Sequence, residues 1–195
     1  MRRITYYFSV LSPFTYLAGD RLERIAARHG AGIDYRPMDI MKVFAAMGTP
    51  PVPQRHPARQ EYRAQDLRRL AARAGMALNL RPAHWPTDAA PASAAVIAVA
   101  DKGGDAGALA RRFLAEVWAN ERDIAEPEVV AEALAGVGED AASLASAIET
   151  AAAAYARNTE AAIADGAFGA PFYIIEDQRF WGADRLDDLD WWLGR

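Results

Sequence analysis

The sequence predicts an α/β protein: a strand–helix–strand half and a strand–strand–helix half, separated by a long all-helical block. Three observations predict it. Ile4 to Val10 is a β-branched and aromatic run, and a second strand pattern follows at Ile33 to Met38. From Met41 to Asp165 no strand signal interrupts a series of alanine-rich helical periods. Strand signals return at Pro171 to Glu176 and Arg179 to Trp181, ahead of a last amphipathic stretch.

Each element has its own reason. Ser12 followed by Pro13 opens a helix, with Ser at the N-cap and Pro at the first helical position, where its missing N–H costs nothing. That helix is expected to run from about Pro13 to His29, burying Tyr16, Leu17, Leu22, Ile25 and Ala26, with Gly30 as its stop. Strand, helix and strand within about forty residues make a parallel βαβ unit. Met41 to Met47 reads as a short helix. Gly48 to Pro57 holds Pro50, Pro51, Pro53 and Pro57 and is an irregular loop. Ala58 to Ala74 is helical, with Tyr62, Leu67, Leu70 and Ala71 apolar and Arg63, Arg68, Arg69 and Arg73 mostly outward. After a second proline-punctuated connection, Leu80 to Pro91, come helices at about Ala92–Val99, Gly107–Trp118, Glu126–Leu134 and Ala141–Ile163, the last opened by Glu139 and Asp140. Asp177–Gln178 is a tight hairpin connection, and Asp184 to Leu193 is the closing helix. The order is a thioredoxin-like layout: residues 1–40 and 166–195 form a discontinuous domain, and residues 41–165 a helical insertion domain.

Composition narrows the function. With 52% hydrophobic and 25% charged residues the chain is ordinary globular protein. A net charge of −4 gives no support to a nucleic-acid partner. Cysteine is absent, so disulfides, thiolate metal ligands and thiol nucleophiles are excluded, and with them a dithiol oxidoreductase. His29, His56 and His84 show no metal-ligand spacing, and no metal is expected. His29 reads as a charge or donor near a helix end, and His84 as part of a surface turn. Arg2 and Arg3 lead straight into the first strand without a signal-type apolar core, and the apolar runs are broken by charge. No membrane partner is expected, and the default location is cytoplasmic.

Two distant stretches carry candidate chemistry. Free backbone N–H groups and the positive end of a helix dipole lie beside Ser12, a place to hold an anion. On the local pattern alone Ser12 reads first as a cap, and the anion site is the other reading. Gly166-Ala167-Phe168-Gly169-Ala170-Pro171 precedes the third strand. A cis Ala170–Pro171 bond would turn the backbone N–H and C=O of Ala170 outward, where an extended peptide could pair with them. The other reading is a strand-initiating proline after a glycine turn.

Three segments together carry a resemblance: Leu-Ser-Pro-Phe-Thr-Tyr-Leu-Ala after the first strand, Gly-Ala-Phe-Gly-Ala-Pro-Phe before the third, and Phe-Trp-Gly-Ala-Asp-Arg-Leu after the hairpin. They resemble the 2-hydroxychromene-2-carboxylate isomerases, relatives of the kappa-class glutathione transferases in the DsbA-like thioredoxin superfamily. The resemblance implies a homodimer that uses glutathione as cofactor on a small aromatic carboxylate. Ser12 would donate a hydrogen bond to the glutathione sulfur in place of a reactive cysteine. Ala170 would bind the cysteinyl backbone, while Trp181, Gly182, Ala183 and Asp184 would hold the γ-glutamyl end. Asp184 can also cap the last helix. The proline-rich loop would reach over the site with Thr49, where relatives often carry Asn, and with Gln54, Arg55 and Arg59 toward the substrate. Lys42 stands behind them. Arg55 and Arg59 read either as a carboxylate fork or as solvated charges.

The implied activity is glutathione-dependent isomerisation of 2-hydroxychromene-2-carboxylate-type substrates to trans-o-hydroxybenzylidenepyruvate-type products in aromatic-compound breakdown. The bound thiolate would add reversibly, allowing ring opening and bond rotation. A kappa-like glutathione transferase or peroxidase, and a thioredoxin-fold binding module without chemistry, are the alternatives.

Overall fold

The computed structural model describes residues 1–195. Four strands, β1 (Arg3–Phe8), β2 (Gly32–Pro37), β3 (Phe172–Ile175) and β4 (Gln178–Trp181), form one sheet in the order β2-β1-β3-β4. β1 runs parallel to β2 and antiparallel to β3, and β3 pairs antiparallel with β4. Nine helices complete the chain: α1 (Pro13–Ala18), α2 (Arg21–His29), α3 (Ile40–Ala46), α4 (Pro57–Ala74), α5 (Ala90–Asp101), α6 (Ala106–Trp118), α7 (Pro127–Ala135), α8 (Ala141–Ala164) and α9 (Leu186–Leu193). This is the thioredoxin-like arrangement, and every element between β2 and β3 is helical. No helix is long and apolar enough to cross a membrane.

β1 is central because its residues bury on both faces, which is why it reads as a continuous apolar run. On one face Tyr6 stacks on Phe8 and on Tyr173, with ring centroids 4.6 and 5.1 Å apart. These rings join a large apolar cluster that also takes in Leu22 of α2, Phe113 of α6, Leu134 of α7 and Leu189 of α9. On the other face Tyr7 packs with Phe172, Met38, Val43, Ala162 and Ala170. The residues flanking β3 are thereby fixed against the end of β1. Asp39, Asp105 and Asp140 cap α3, α6 and α8, their carboxylates accepting from backbone N–H groups.

The structure corrects four expectations. The first helix is broken: Gly19 adopts φ +59° and its N–H bonds to the Tyr16 carbonyl, ending α1 after six residues. The apolar period survives the break because Leu22, Ile25 and Ala26 of α2 face the same core. The proline-rich loop contains a short 3-10 turn at Val52–Gln54. Tyr62, expected to pack, is 62% exposed, whereas Arg63, expected outward, is half-buried. Finally, α9 begins only at Leu186, after a 3-10 turn over Ala183–Arg185 whose cap position is Gly182 at φ +107°. Asp184 makes no capping bond; its carboxylate pairs with Arg185.

Candidate active site

The chain leaves β1 through Ser9-Val10-Leu11 and reaches Ser12, whose N–H donates to the Ser9 carbonyl at 3.0 Å. Ser12 has extended backbone and caps α1, its Oγ accepting from the Thr15 N–H at 3.2 Å. The same hydroxyl donates to the Ala170 carbonyl at 3.1 Å. Ala170–Pro171 is cis. The carbonyl of Ala170 is thus engaged by Ser12 rather than offered outward, while its N–H finds no acceptor within the protein. With α1 cut to six residues, its dipole is short, and polar support at Ser12 comes chiefly from the hydroxyl itself.

Two tethers hold this loop. The indole N–H of Trp85 donates to the Leu11 carbonyl at 3.0 Å, and the Tyr16 hydroxyl donates to the Ala77 carbonyl at 2.7 Å. Trp85, which precedes a cis proline, also packs on buried Trp118. Sequence reasoning missed Trp85 because the loop around it has no periodicity to read. The neighbouring His84, read as part of a surface turn, lies outside the cavity, 3.9 Å from Asp123.

Ser12 opens onto a cavity of about 480 Å³ between α1, α3, the proline-rich loop, α4 and the segment before β3. Its walls are aromatic, with Phe14, Phe44, Trp85, Phe168 and Trp181, and its only charged lining residues are Arg55, Arg59 and Arg63. The Arg55 guanidinium sits 5.2 Å over the Phe44 ring and that of Arg63 5.8 Å over Phe14. Neither has a carboxylate partner. Burial, and then the charge of Arg55, bring the Arg63 guanidinium down to about 10, and burial with the charge of Arg59 lowers Arg55. The loop is braced from within: Arg55 Nε donates to the Pro50 carbonyl at 2.9 Å, and Gln60 Nε2 to the Arg55 carbonyl at 2.7 Å.

The structure brings Ser12, Thr49, Arg55, Arg59, Ala170 and Trp181 to this cavity. Gln54 is exposed and does not line it, and Lys42 points to Asp39 at 3.9 Å. Gly182, Ala183 and Asp184 lie just beyond. The Ala183 carbonyl is taken by Arg21 at 2.9 Å, while the N–H groups of Ala183 and Asp184 are unpaired. The Trp181 indole lies so close to Gly169 that a Cβ there would be 2.4 Å from Nε1. His29 bonds to Asp190 of α9 at 2.7 Å and is structural. No group of side chains suited to a metal ion is present. A larger cavity, about 540 Å³ between β2, α5 and α8, holds none of these residues.

A four-stranded mixed sheet, with a hydroxyl at the head of the first helix facing a cis-proline loop, defines a thioredoxin-fold protein whose site has no thiol of its own. The DSBA-like thioredoxin domain family matches residues 3–193. The chain is 31% identical to the 2-hydroxychromene-2-carboxylate isomerase of Sphingobium xenophagum over 98% of both chains. It is also 31% identical to the enzyme of that name from Pseudomonas putida, over 98% of this chain and 94% of that one. A solved 2-hydroxychromene-2-carboxylate isomerase superposes with a TM-score of 0.80 at 27% identity, covering 99% of this chain and 95% of that one. The cytosolic disulfide reductase DsbM of Pseudomonas aeruginosa, solved with GSH, shares the fold at a TM-score of 0.68 and 23% identity, over 98% of this chain and 97% of that one. The chain belongs to the 2-hydroxychromene-2-carboxylate isomerase family of DSBA-like thioredoxin-domain proteins, and it is an isomerase.

Proposed function

We propose that the protein isomerises 2-hydroxychromene-2-carboxylate-type substrates to trans-o-hydroxybenzylidenepyruvate-type products with glutathione as its thiol cofactor. One observation carries the reading: in a chain without cysteine, the Ser12 hydroxyl at the head of α1 faces the cis Ala170–Pro171 bond and opens onto an aromatic, arginine-lined cavity. The residues suit glutathione. The free Ala170 N–H is an unused donor for a peptide carbonyl, and the free N–H groups of Ala183 and Asp184 are donors for a carboxylate. The DsbM relationship supplies a precedent for GSH on this fold.

Glutathione, when bound, supplies a thiolate that adds reversibly to the unsaturated ring of the substrate. The protein's part is to keep that sulfur charged and to orient the ring beside it. In the free protein the Ser12 proton points to the Ala170 carbonyl; rotation about the Cβ–Oγ bond redirects it to an anion seated in the cavity. A hydrogen bond to a charged group is worth roughly 1.5–3 kcal/mol. That lowers a thiol from its ordinary ~8.5 by about one to two pKa units, enough to ionise much of it near neutrality. Ser12 is thus a stabiliser of the thiolate and no nucleophile itself. Arg55 and Arg59 offer planar donors to the substrate carboxylate, and the Phe and Trp walls pack on its ring.

The test is an ultraviolet titration of the glutathione complex, following thiolate absorbance against pH. The midpoint falls below that of free glutathione in the wild type and returns to it in Ser12→Ala. A wild-type midpoint equal to that of free glutathione refutes the reading. Turnover of the chromene substrate with no net loss of glutathione separates an isomerase from a transferase.

A further inference from the structure

We propose that Arg63, seconded by Arg55, is the anchor for the substrate carboxylate and the residue that makes the site prefer an acid over its uncharged analogue. This rests on the isomerase reading above. It assigns the primary contact to a residue one turn deeper than Arg59.

Arg59 and Arg63 stand four apart on α4 and so share one face of it, the face toward the cavity. They differ in setting. Arg59 is exposed, and water screens its charge, whereas Arg63 is half-buried among cavity walls. The guanidinium of Arg63 makes no hydrogen bond and no ion pair within the protein, so all five of its N–H donors are unused. Arg55 uses one donor to brace the Pro50 carbonyl, which fixes its plane and leaves its terminal nitrogens free. No acidic residue lines the cavity to balance the three cations. A half-buried guanidinium without a counterion, beside others of like charge, is costly to the empty protein. A bound anion removes that cost.

Two platforms define the shape of the anion. Arg63 lies over Phe14 and Arg55 over Phe44. The two guanidiniums therefore sit against aromatic walls of one cavity, where a carboxylate can meet both and its flat ring can pack on the remaining aromatic lining. Phe14 is two residues from Ser12, so an acid held at Arg63 presents its ring on the Ser12 side of the cavity. An uncharged analogue would fill the same aromatic space and leave Arg63 unpaired, which is the basis of rejection.

The probe is naphthalene-2-carboxylate, with its uncharged carboxamide as control, titrated calorimetrically into the wild type, Arg63→Leu and Arg63→Lys without glutathione. Loss of one charged, forked contact corresponds to roughly 10- to 100-fold in affinity. The wild type is expected to prefer the acid by that factor. Arg63→Leu loses the preference, while Arg63→Lys, which keeps the charge but not the fork, falls between. The thermal midpoint of Arg63→Leu is expected at or above that of the wild type, because the substitution removes an unbalanced charge. Separate glutathione titrations of wild type and Arg63→Leu are expected to agree. Equal acid affinity in wild type and Arg63→Leu, no acid preference in the wild type, or a loss in Arg63→Leu confined to glutathione each overturns the proposal. Absence of glutathione binding in the wild type refutes the cofactor reading alone, since the acid titrations do not contain it.

Discussion

The hydroxyl of Ser12 and the carbonyl of Ala170 are 3.1 Å apart across 158 positions of sequence. This one bond ties the head of α1 to the cis-proline loop. It also means that the hydroxyl already has two partners before any ligand arrives, the Thr15 N–H and the Ala170 carbonyl. A ligand at the cavity end of Ser12 therefore competes for a proton that is directed elsewhere.

Ser12→Ala removes both contacts. The lost cap costs about 0.5–2 kcal/mol. The carbonyl left without its donor adds to this, for a total of about 1–3 kcal/mol. The variant is expected to fold, to melt at lower temperature and to lose most isomerase activity with glutathione present. Urea denaturation alongside initial-rate assays checks both, and full activity in a folded variant contradicts the assigned role.

Gly169→Ala is expected to separate binding from stability. A Cβ at this position meets the Trp181 indole at 2.4 Å, so the ring must leave its place. Trp181 is 51% exposed and has room to swing outward. Thermal stability should fall by less than about 1 kcal/mol, while glutathione affinity drops several-fold in calorimetry because the wall beside Ala170 is displaced.

Trp85→Phe keeps an aromatic ring against Trp118 but deletes the donor to the Leu11 carbonyl. The loss is expected to be about 1 kcal/mol of stability. The turnover rate should fall more than substrate affinity, since the Leu11–Ser12 loop loses a tether. Steady-state kinetics of the folded variant read the two effects separately.

Tyr7 predicts an alkaline limit. Burial first, and then its hydrogen bond to Asp165, push the Tyr7 hydroxyl up to about 12, against the Arg36 contact that lowers it. The folded protein holds this proton more tightly than the unfolded chain, where tyrosine ionises near 10. The resulting stability is complete below about pH 10 and is lost as pH rises toward about 12. Tyr6, Tyr35, Tyr155 and Tyr173 are shifted in the same direction. Denaturant midpoints should fall steeply across this interval, and less steeply in Tyr7→Phe.

Much of the fold and part of the site can be read from residues alone. The Ser-Pro signature locates the head of α1 because cap chemistry is local, and β1 is legible because burial on both faces demands a continuous apolar run. The break at Gly19–Asp20 is invisible to periodicity, since α1 and α2 bury their apolar residues in one core. Arg63 reads as solvent-facing because charge on a helix usually is; Phe14 of α1 and the proline-rich loop, both outside α4, are what enclose it. Trp85 belongs to a proline-bounded stretch whose path depends on Leu11 and Trp118, both remote in sequence. The contact surfaces of Asp184 and Gln54 depend on the paths of α9 and of the proline-rich loop, which no spacing rule fixes.

The strand order places β3 beside β1, although the chain supplies β3 only after the whole helical block that follows β2. During synthesis β1 has β2 as its sole neighbour until residues 166–195 leave the ribosome, and its other edge stays open meanwhile. The pocket floor at Ala170 and the wall at Trp181 arrive in that same final portion. A polypeptide terminated before residue 166 would carry the serine and all three arginines yet lack the Ala170 and Trp181 walls of the cavity.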